Sequence, residues 1–345
     1  MLSVASQTID VKVHDVDDIM RAVQTGVLPD LSKVPPKENL RKLLQVESTP
    51  GGRRTALSGI SIQPKFVGGV SVPNFDAVVK IEFKTVDGQD DLCSGFLFAA
   101  EFAAGAQVLT AAHCSCGQPN SYRIFHDIPG GDSKVFFVLA SLPARYGDYS
   151  CALPPEGQIG RDLAMFWIKT KGETLSQSNA TPSLPLIATM HQVYRDTATR
   201  RLVGVGYGRN ESRDLPPVAV AAAIPIQSFF CAGGAFAASA CASFREFVLA
   251  DTSAGPGTNR PDSCGGDSGA PIFWIPPLPA TGGLNPTDVK SSQRFLVGIT
   301  SRALDGVQHN SGTTCGGGGI YTAVGHPDVI RWLTANGVIV LTEFK

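Results

Sequence analysis

The chain has 345 residues, a formal net charge of −1 and 43% hydrophobic content, so it can bury a large core and is not disordered as a whole. Near-neutral charge gives no electrostatic case for nucleic acid or an anionic membrane as a partner. No run of about 18 apolar residues is present, which argues against a membrane-spanning helix, and 37 Gly with 24 Pro suit an all-β chain with many turns.

Residues 1–65 differ from the rest. Met1-Leu2-Ser3-Val4-Ala5-Ser6-Gln7-Thr8-Ile9-Asp10 has neither a basic n-region nor an apolar h-region, so it does not read as a secretory signal. Asp15 to Thr25 has a helical pattern, Pro29, Pro35, Pro36 and Pro50-Gly51-Gly52 punctuate the remainder, and Arg53-Arg54 offers a basic cleavage site. The simplest reading is a partly helical pro-segment. From Phe66 on, short apolar runs recur between turns. Ala77 to Phe83, Phe96 to Ala100, Val108 to Ala111, Val135 to Ala140 and Leu163 to Ile168 form one set. After a connection at Thr181 to Pro185 come Arg201 to Gly206, Val218 to Ile226, Pro271 to Ile275, Phe295 to Thr300 and Gly319 to Thr322. The pattern predicts an all-β chain and nothing finer. His326-Pro327-Asp328 through Asn336-Gly337 reads as a closing helix, with Pro in its first turn and Gly at its end, followed by a tail, 338–345. Ile275 to Gln293 and Ala303 to Thr314 are long loops of the kind that set specificity on a rigid scaffold. Asn179-Ala180-Thr181 and Asn210-Glu211-Ser212 match glycosylation acceptors, which matters only in a eukaryotic secretory host.

Three short signatures carry chemistry. His113 lies in Leu109-Thr110-Ala111-Ala112-His113-Cys114, Asp162 in Gly160-Arg161-Asp162-Leu163-Ala164-Met165, and Ser268 in Cys264-Gly265-Gly266-Asp267-Ser268-Gly269-Ala270-Pro271. A serine hydroxyl is a weak nucleophile near neutral pH; it needs a base, and the base needs a group that holds its tautomer. His113 is the candidate base, Asp162 the orienting carboxylate, and the N–H groups of Gly266 and Ser268 the candidate oxyanion donors. The other histidines, His14, His126, His191, His309 and His326, read as ordinary satisfied polar residues. A Gly-x-Ser-x-Gly elbow fails at Ala270, and the order His…Asp…Ser is wrong for an α/β-hydrolase.

In these signatures and their order the chain resembles the trypsin/chymotrypsin-type serine proteases over about residues 66–337. The resemblance implies two antiparallel Greek-key β-barrels, 66–185 and 186–325, with the triad at their junction and a C-terminal helix, 326–337. It implies a serine endopeptidase working through an acyl-enzyme on protein or peptide substrates, without cofactor or metal, and a monomer is expected. A catalytically silent relative acting as a binding module is the competing reading, kept alive by Phe66, Arg302 and Ala303.

Trypsin-like members carry an Asp six residues before the nucleophile, and 268 − 6 = 262 is Asp262. Such a carboxylate is expected to stay unpaired until a substrate Arg or Lys enters. Ser263 and Gly319 match pocket-wall positions, and Ser301 matches the serine beneath the catalytic Asp. The family's Trp-Gly after that serine is replaced by Arg302-Ala303, so Arg302 is expected to meet an acidic substrate residue or to compete for Asp262, and the Ala303 methyl to crowd the pocket mouth. Phe66-Val67-Gly68-Gly69 resembles the start of the mature enzymes and follows Lys65; 93 − 66 = 27 residues separate Phe66 from Cys93, close to the family distance. The resemblance thus implies a zymogen activated at Lys65–Phe66, by another protease or by itself, whose new α-amino group pairs with Asp267.

Of the eight cysteines, the resemblance implies Cys93–Cys114, Cys264–Cys315 and Cys231–Cys241, which leaves Cys116 and Cys151 as a fourth pair. With no Cys-x-x-Cys, zinc is a poor alternative. Such bridges belong in an oxidising compartment. A secreted or periplasmic location is expected, with a signal already removed or another export route.

Overall fold

The computed structural model describes residues 66, 69–72, 75, 77–98, 106–127, 134–153, 158–170, 187–188, 193, 201–208, 218–229, 231, 241–251, 260–275, 294–304 and 315–338. They all lie in the unit Ile62–Glu343; the chain's other unit, Met1–Ser61 with Phe344–Lys345, falls outside the described residues. So do Lys65, the Asp15 to Thr25 pattern, Arg53-Arg54, Thr181 to Pro185, both acceptor triplets, most of the two long loops and 339–345.

Alternation builds the first sheet. In β2 (Val78–Lys84), Ile81 and Phe83 are buried while Lys80 and Glu82 sit at the surface as an ion pair. Strands β3 (Asp90–Phe98), β4 (Ala106–Thr110), β5 (Arg123–Asp127), β6 (Lys134–Leu139) and β8 (Ala164–Thr170) join it, with β7 (Ala144–Arg145) at the edge of β8. β4 pairs with both β3 and β8, which closes six antiparallel strands into a barrel. The second sheet contains β9 (Arg201–Gly206), β10 (Val220–Ser228), β11 (Glu246–Leu249), β12 (Pro271–Trp274), β13 (Phe295–Ala303) and β14 (Gly319–Ala323). It closes through β9, which pairs with both β10 and β12. In each barrel the fourth strand returns beside the first, β5 on β2 and β12 on β9, which is Greek-key order.

One assignment by chain position is corrected. β1 (Val70–Ser71) precedes the first barrel but pairs with β10, Val70 opposite Ala221, and so belongs to the second sheet. β5 and β11 have no counterpart among the apolar runs, because Arg123, His126, Asp127 and Glu246 break up their apolar content.

Helix α1 (Pro327–Ala335) is capped by His326, whose Nδ1 accepts from Asp328 N at 3.2 Å, and it ends before Gly337 at φ +82°. The helix follows the second barrel in sequence but docks on the first: Trp332 packs edge-on against Tyr146, and Gln107 Nε2 donates to Asn336 O at 2.8 Å. Between the barrels, Phe273 of β12 meets Phe96 of β3 and Phe75, both at 5.9 Å between ring centroids; edge-to-face pairs of this kind add about 0.5–1.5 kcal/mol each beyond burial. β3 and β12 thereby hold fixed the seam at which the site is built. Disulfides join Cys93 to Cys114, Cys116 to Cys151, Cys231 to Cys241 and Cys264 to Cys315. Among the described residues no helix is long and apolar enough to cross a membrane.

Candidate active site

His113 sits on a 3₁₀ turn, Ala112–Ser115, directly after β4, and the Cys93–Cys114 bridge ties that turn to β3. Asp162 lies in the loop that enters β8. Its Oδ1 accepts from His113 N and its Oδ2 faces His113 Nδ1, both at 2.9 Å. The same Oδ2 accepts from Ser301 Oγ at 2.7 Å. Asp162 is 1% exposed, whereas the His113 side chain is 26% exposed, so the ring has one face to solvent. Burial alone would raise the Asp162 pKa, but the charge of His113 and the hydrogen bonds from His113 and Ser301 hold it below the ordinary carboxylate value. Burial also disfavours a charged His113; the charge and hydrogen bond of Asp162 outweigh it and raise the ring's pKa. An ionised carboxylate only accepts, so Nδ1 is the donating nitrogen.

Ser268 is half-buried in the turn before β12. Its carbonyl accepts from Ser94 N at 2.8 Å, and the next amide, Gly269 N, donates to Thr300 O at 2.8 Å. Gly269 has φ +82°, and a Cβ there would lie 2.0 Å from Thr110 Oγ1, so only glycine fits. Gly266, at φ +97°, makes the sharp turn that precedes the serine. Among the described residues the amides of Gly266 and Ser268 donate to no protein acceptor.

The Asp262 carboxylate is buried, and its partners among the described residues are neutral amides rather than a cation. Three backbone amides hold it: Ser263 N at 2.7 Å on Oδ1, and Gly316 N at 2.8 Å with Gly318 N at 3.0 Å on Oδ2. The Cys264–Cys315 bridge brings the two segments together. Desolvation still pushes the Asp262 pKa up to about 7, with the amides opposing it. Ser263 Oγ contacts Tyr321 OH at 3.1 Å, Gly319 lies opposite Ala303 in the β13–β14 pair, and Ala303 is exposed.

Arg302 has a partner that neither expectation named: it reaches Glu246 with two nitrogens, at 2.7 Å and 3.0 Å. A carboxylate buried on β11 is the stronger claim on a guanidinium, because both charges are then satisfied in a fork-to-fork pair.

Asp267 is fully buried. Among the described residues its partners are Gly208 N at 2.7 Å and Cys264 N at 2.9 Å, and desolvation raises its pKa to about 8. Gly206 separates it from Phe66: a Cβ on Gly206 would lie 2.3 Å from Asp267 Oδ1 and 3.2 Å from the Phe66 ring. The ring is fully buried, and a Cβ on Gly204 would come within 2.7 Å of it, so the two glycines of β9 make the room that a phenylalanine needs.

Two residues escaped the sequence reading. Ser94 is fully buried; its hydroxyl donates to Gly266 O at 3.0 Å and accepts from Tyr207 N at 2.9 Å. Glu246 accepts from Gly160 N at 2.9 Å and Ala242 N at 2.8 Å in addition to Arg302. Both are distant in sequence from the signatures. The only local signal is a polar residue inside an apolar strand run. Cys93, His113 and Cys114 also cluster, but the two sulfurs are bonded to each other and offer no thiolate to a metal.

Two closed Greek-key barrels, one carrying the His113–Asp162 pair and the other the Ser268 turn, form a serine-protease fold. The family described as Trypsin matches residues 66–332, and the chain belongs to that family. A solved structure described as "Structure of GrC" is similar in fold, with a TM-score of 0.51 and 16% identity, covering 78% of this chain and 98% of that one. Among curated proteins none matches. Membership of the family goes with protein substrates and, with four disulfides, with an oxidising compartment.

Proposed function

We propose that the chain is a secreted serine endopeptidase that cleaves after Arg or Lys and is made as a zymogen. Ser268 Oγ attacks the scissile carbonyl while His113 Nε2 takes its proton. The amides of Gly266 and Ser268 bind the oxyanion, His113 returns the proton to the leaving amine, and water then repeats the sequence on the acyl-enzyme. The observation that carries this reading is the Asp162 carboxylate held by His113 on one side and Ser301 on the other, which fixes the imidazole tautomer.

Asp262 selects the P1 cation; its amides fix the carboxylate without supplying a positive charge. Cleavage at Lys65–Phe66 creates an α-amino group beside Asp267, whose raised pKa marks a buried carboxylate in need of a cation. Residues 1–65 are the pro-segment in this scheme, and 66–337 the catalytic domain.

Labelling with a fluorophosphonate probe before and after trypsin treatment tests the scheme. Labelling that needs cleavage and is abolished by Ser268→Ala supports it. No labelling of any cleaved form identifies a catalytically silent homologue that works by binding.

A further inference from the structure

Glu246 is fully buried on β11, yet it carries a charge and accepts four hydrogen bonds: two from the Arg302 guanidinium, one from Ala242 N and one from Gly160 N. Two of these links lead to the same place. Gly160 lies two residues before Asp162 in the loop that carries it. Arg302 follows Ser301, and its Nη1 donates to Ser301 Oγ at 3.3 Å while that hydroxyl donates to Asp162 Oδ2 at 2.7 Å. Adjacent residues on a regular strand face opposite ways. Here the β13–β14 register shifts between Thr300 and Arg302, and this bulge lets Ser301 and Arg302 serve one side together.

A buried ion pair seldom adds net stability, because desolving two charges costs about as much as their attraction returns. Its worth is geometric: a planar fork held at both oxygens has one orientation. We propose that the Glu246–Arg302 pair is a positioning device for Asp162, gripping its loop through Gly160 and its hydroxyl partner through Ser301, so that Arg302 is a positioning residue and not a substrate subsite. The role rests on the protease reading above. The network runs Gly160–Glu246–Arg302–Ser301–Asp162–His113 and crosses from one barrel to the other. The charged groups that face His113 are Asp162 from the loop before β8, Asp91 of β3 and Arg302 of β13; the last lowers the ring's pKa while the two carboxylates raise it.

The test combines Glu246→Gln/Arg302→Met, which removes both charges but keeps an acceptor for Gly160 N, with Arg302→Lys, which keeps the charge and loses the fork. In the wild-type chain the His113 Nδ1 proton is followed by NMR against pH, a readout independent of turnover. The double variant is expected to weaken or broaden that resonance as the Asp162 contact loosens. In the cleaved enzyme it is expected to lower kcat about 10–10²-fold with KM within about twofold. Arg302→Lys recovers only part of kcat. An unchanged resonance and kcat in either folded variant overturns the positioning role. Wild-type enzyme that is inert after cleavage overturns the protease reading instead, so the two failures are told apart.

Discussion

The hydroxyl of Ser94 donates to the carbonyl of Gly266 across 3.0 Å, linking residues 172 positions apart. The bond fixes the peptide that follows Gly266, and the same hydroxyl is anchored by Tyr207 N. Ser94→Ala leaves the half-buried Gly266 carbonyl and the buried Tyr207 amide without this partner, at about 1–3 kcal/mol. Loss of one oxyanion donor outright lowers the rate about 10²–10³-fold. Loosening the peptide is expected to lower kcat by about tenfold, with KM little changed. Weaker inhibition by a peptide boronate, which mimics the tetrahedral intermediate, would tie the loss to the oxyanion loop. Equal inhibition of both forms would refute the link.

Asp162→Asn tests the orienting carboxylate. The amide cannot accept two donors as a carboxylate does, and its NH₂ favours the wrong imidazole tautomer; the family template predicts a fall of about 10⁴-fold in kcat. The charge of Asp162 raises the His113 pKa, so its removal lowers it. The acid limb of kcat/KM should therefore move to lower pH even as the plateau drops. A limb that stays in place would show that Asp162 does not set the charge of His113.

In the uncleaved chain, Asp267 is expected to make stability depend on pH. The folded chain keeps its proton up to about 8, whereas an unfolded Asp loses it near about 4. Between these values the folded state binds more protons, so stability falls as pH rises from about 4 to about 8 and is level above. Asp262 acts with the same sign up to about 7. The uncleaved Ser268→Ala chain is expected to unfold at lower denaturant concentration at pH 8 than at pH 5. Asp267→Asn, or cleavage at Lys65–Phe66, should remove a large part of the difference. Equal midpoints at the two pH values would rule out an uncompensated buried carboxylate.

The fold and the His113–Asp162 pair were legible because each rests on local patterns. Ten apolar runs marked ten of the strands, and His113, Asp162 and Ser268 stand in short contexts that chemistry constrains tightly. What escaped is non-local. Glu246 sits in Arg245-Glu246-Phe247, outside every apolar run of the sequence; its meaning comes from Arg302, 56 residues away. Ser94 looks like any small residue after a cysteine until Gly266 closes on it. The partners of Asp262 are backbone amides, which no side-chain pattern encodes. β1 was placed by chain order, whereas pairing with β10 decides its sheet.

On the proposed P1 reading, Asp262 is expected to give the preference a pH signature. Before substrate arrives, burial holds its pKa up to about 7 against three amides. Only the ionised form pairs with a P1 cation, so recognition of Arg or Lys improves as pH rises through about 7. A substrate with Phe at P1 feels only the His113 limb. The ratio of kcat/KM for Arg over Phe should thus climb with pH and level off above about 7, which separates Asp262 from His113 without a mutant. Asp262→Asn should flatten that ratio and lower kcat/KM for the Arg substrate by at least about 10²-fold, since a buried cation is then left without a counter-charge. Faster cleavage after Phe or Leu than after Arg at pH 8 in the wild-type enzyme would sink the assignment, and the amide cage around Asp262 would then be read as structural.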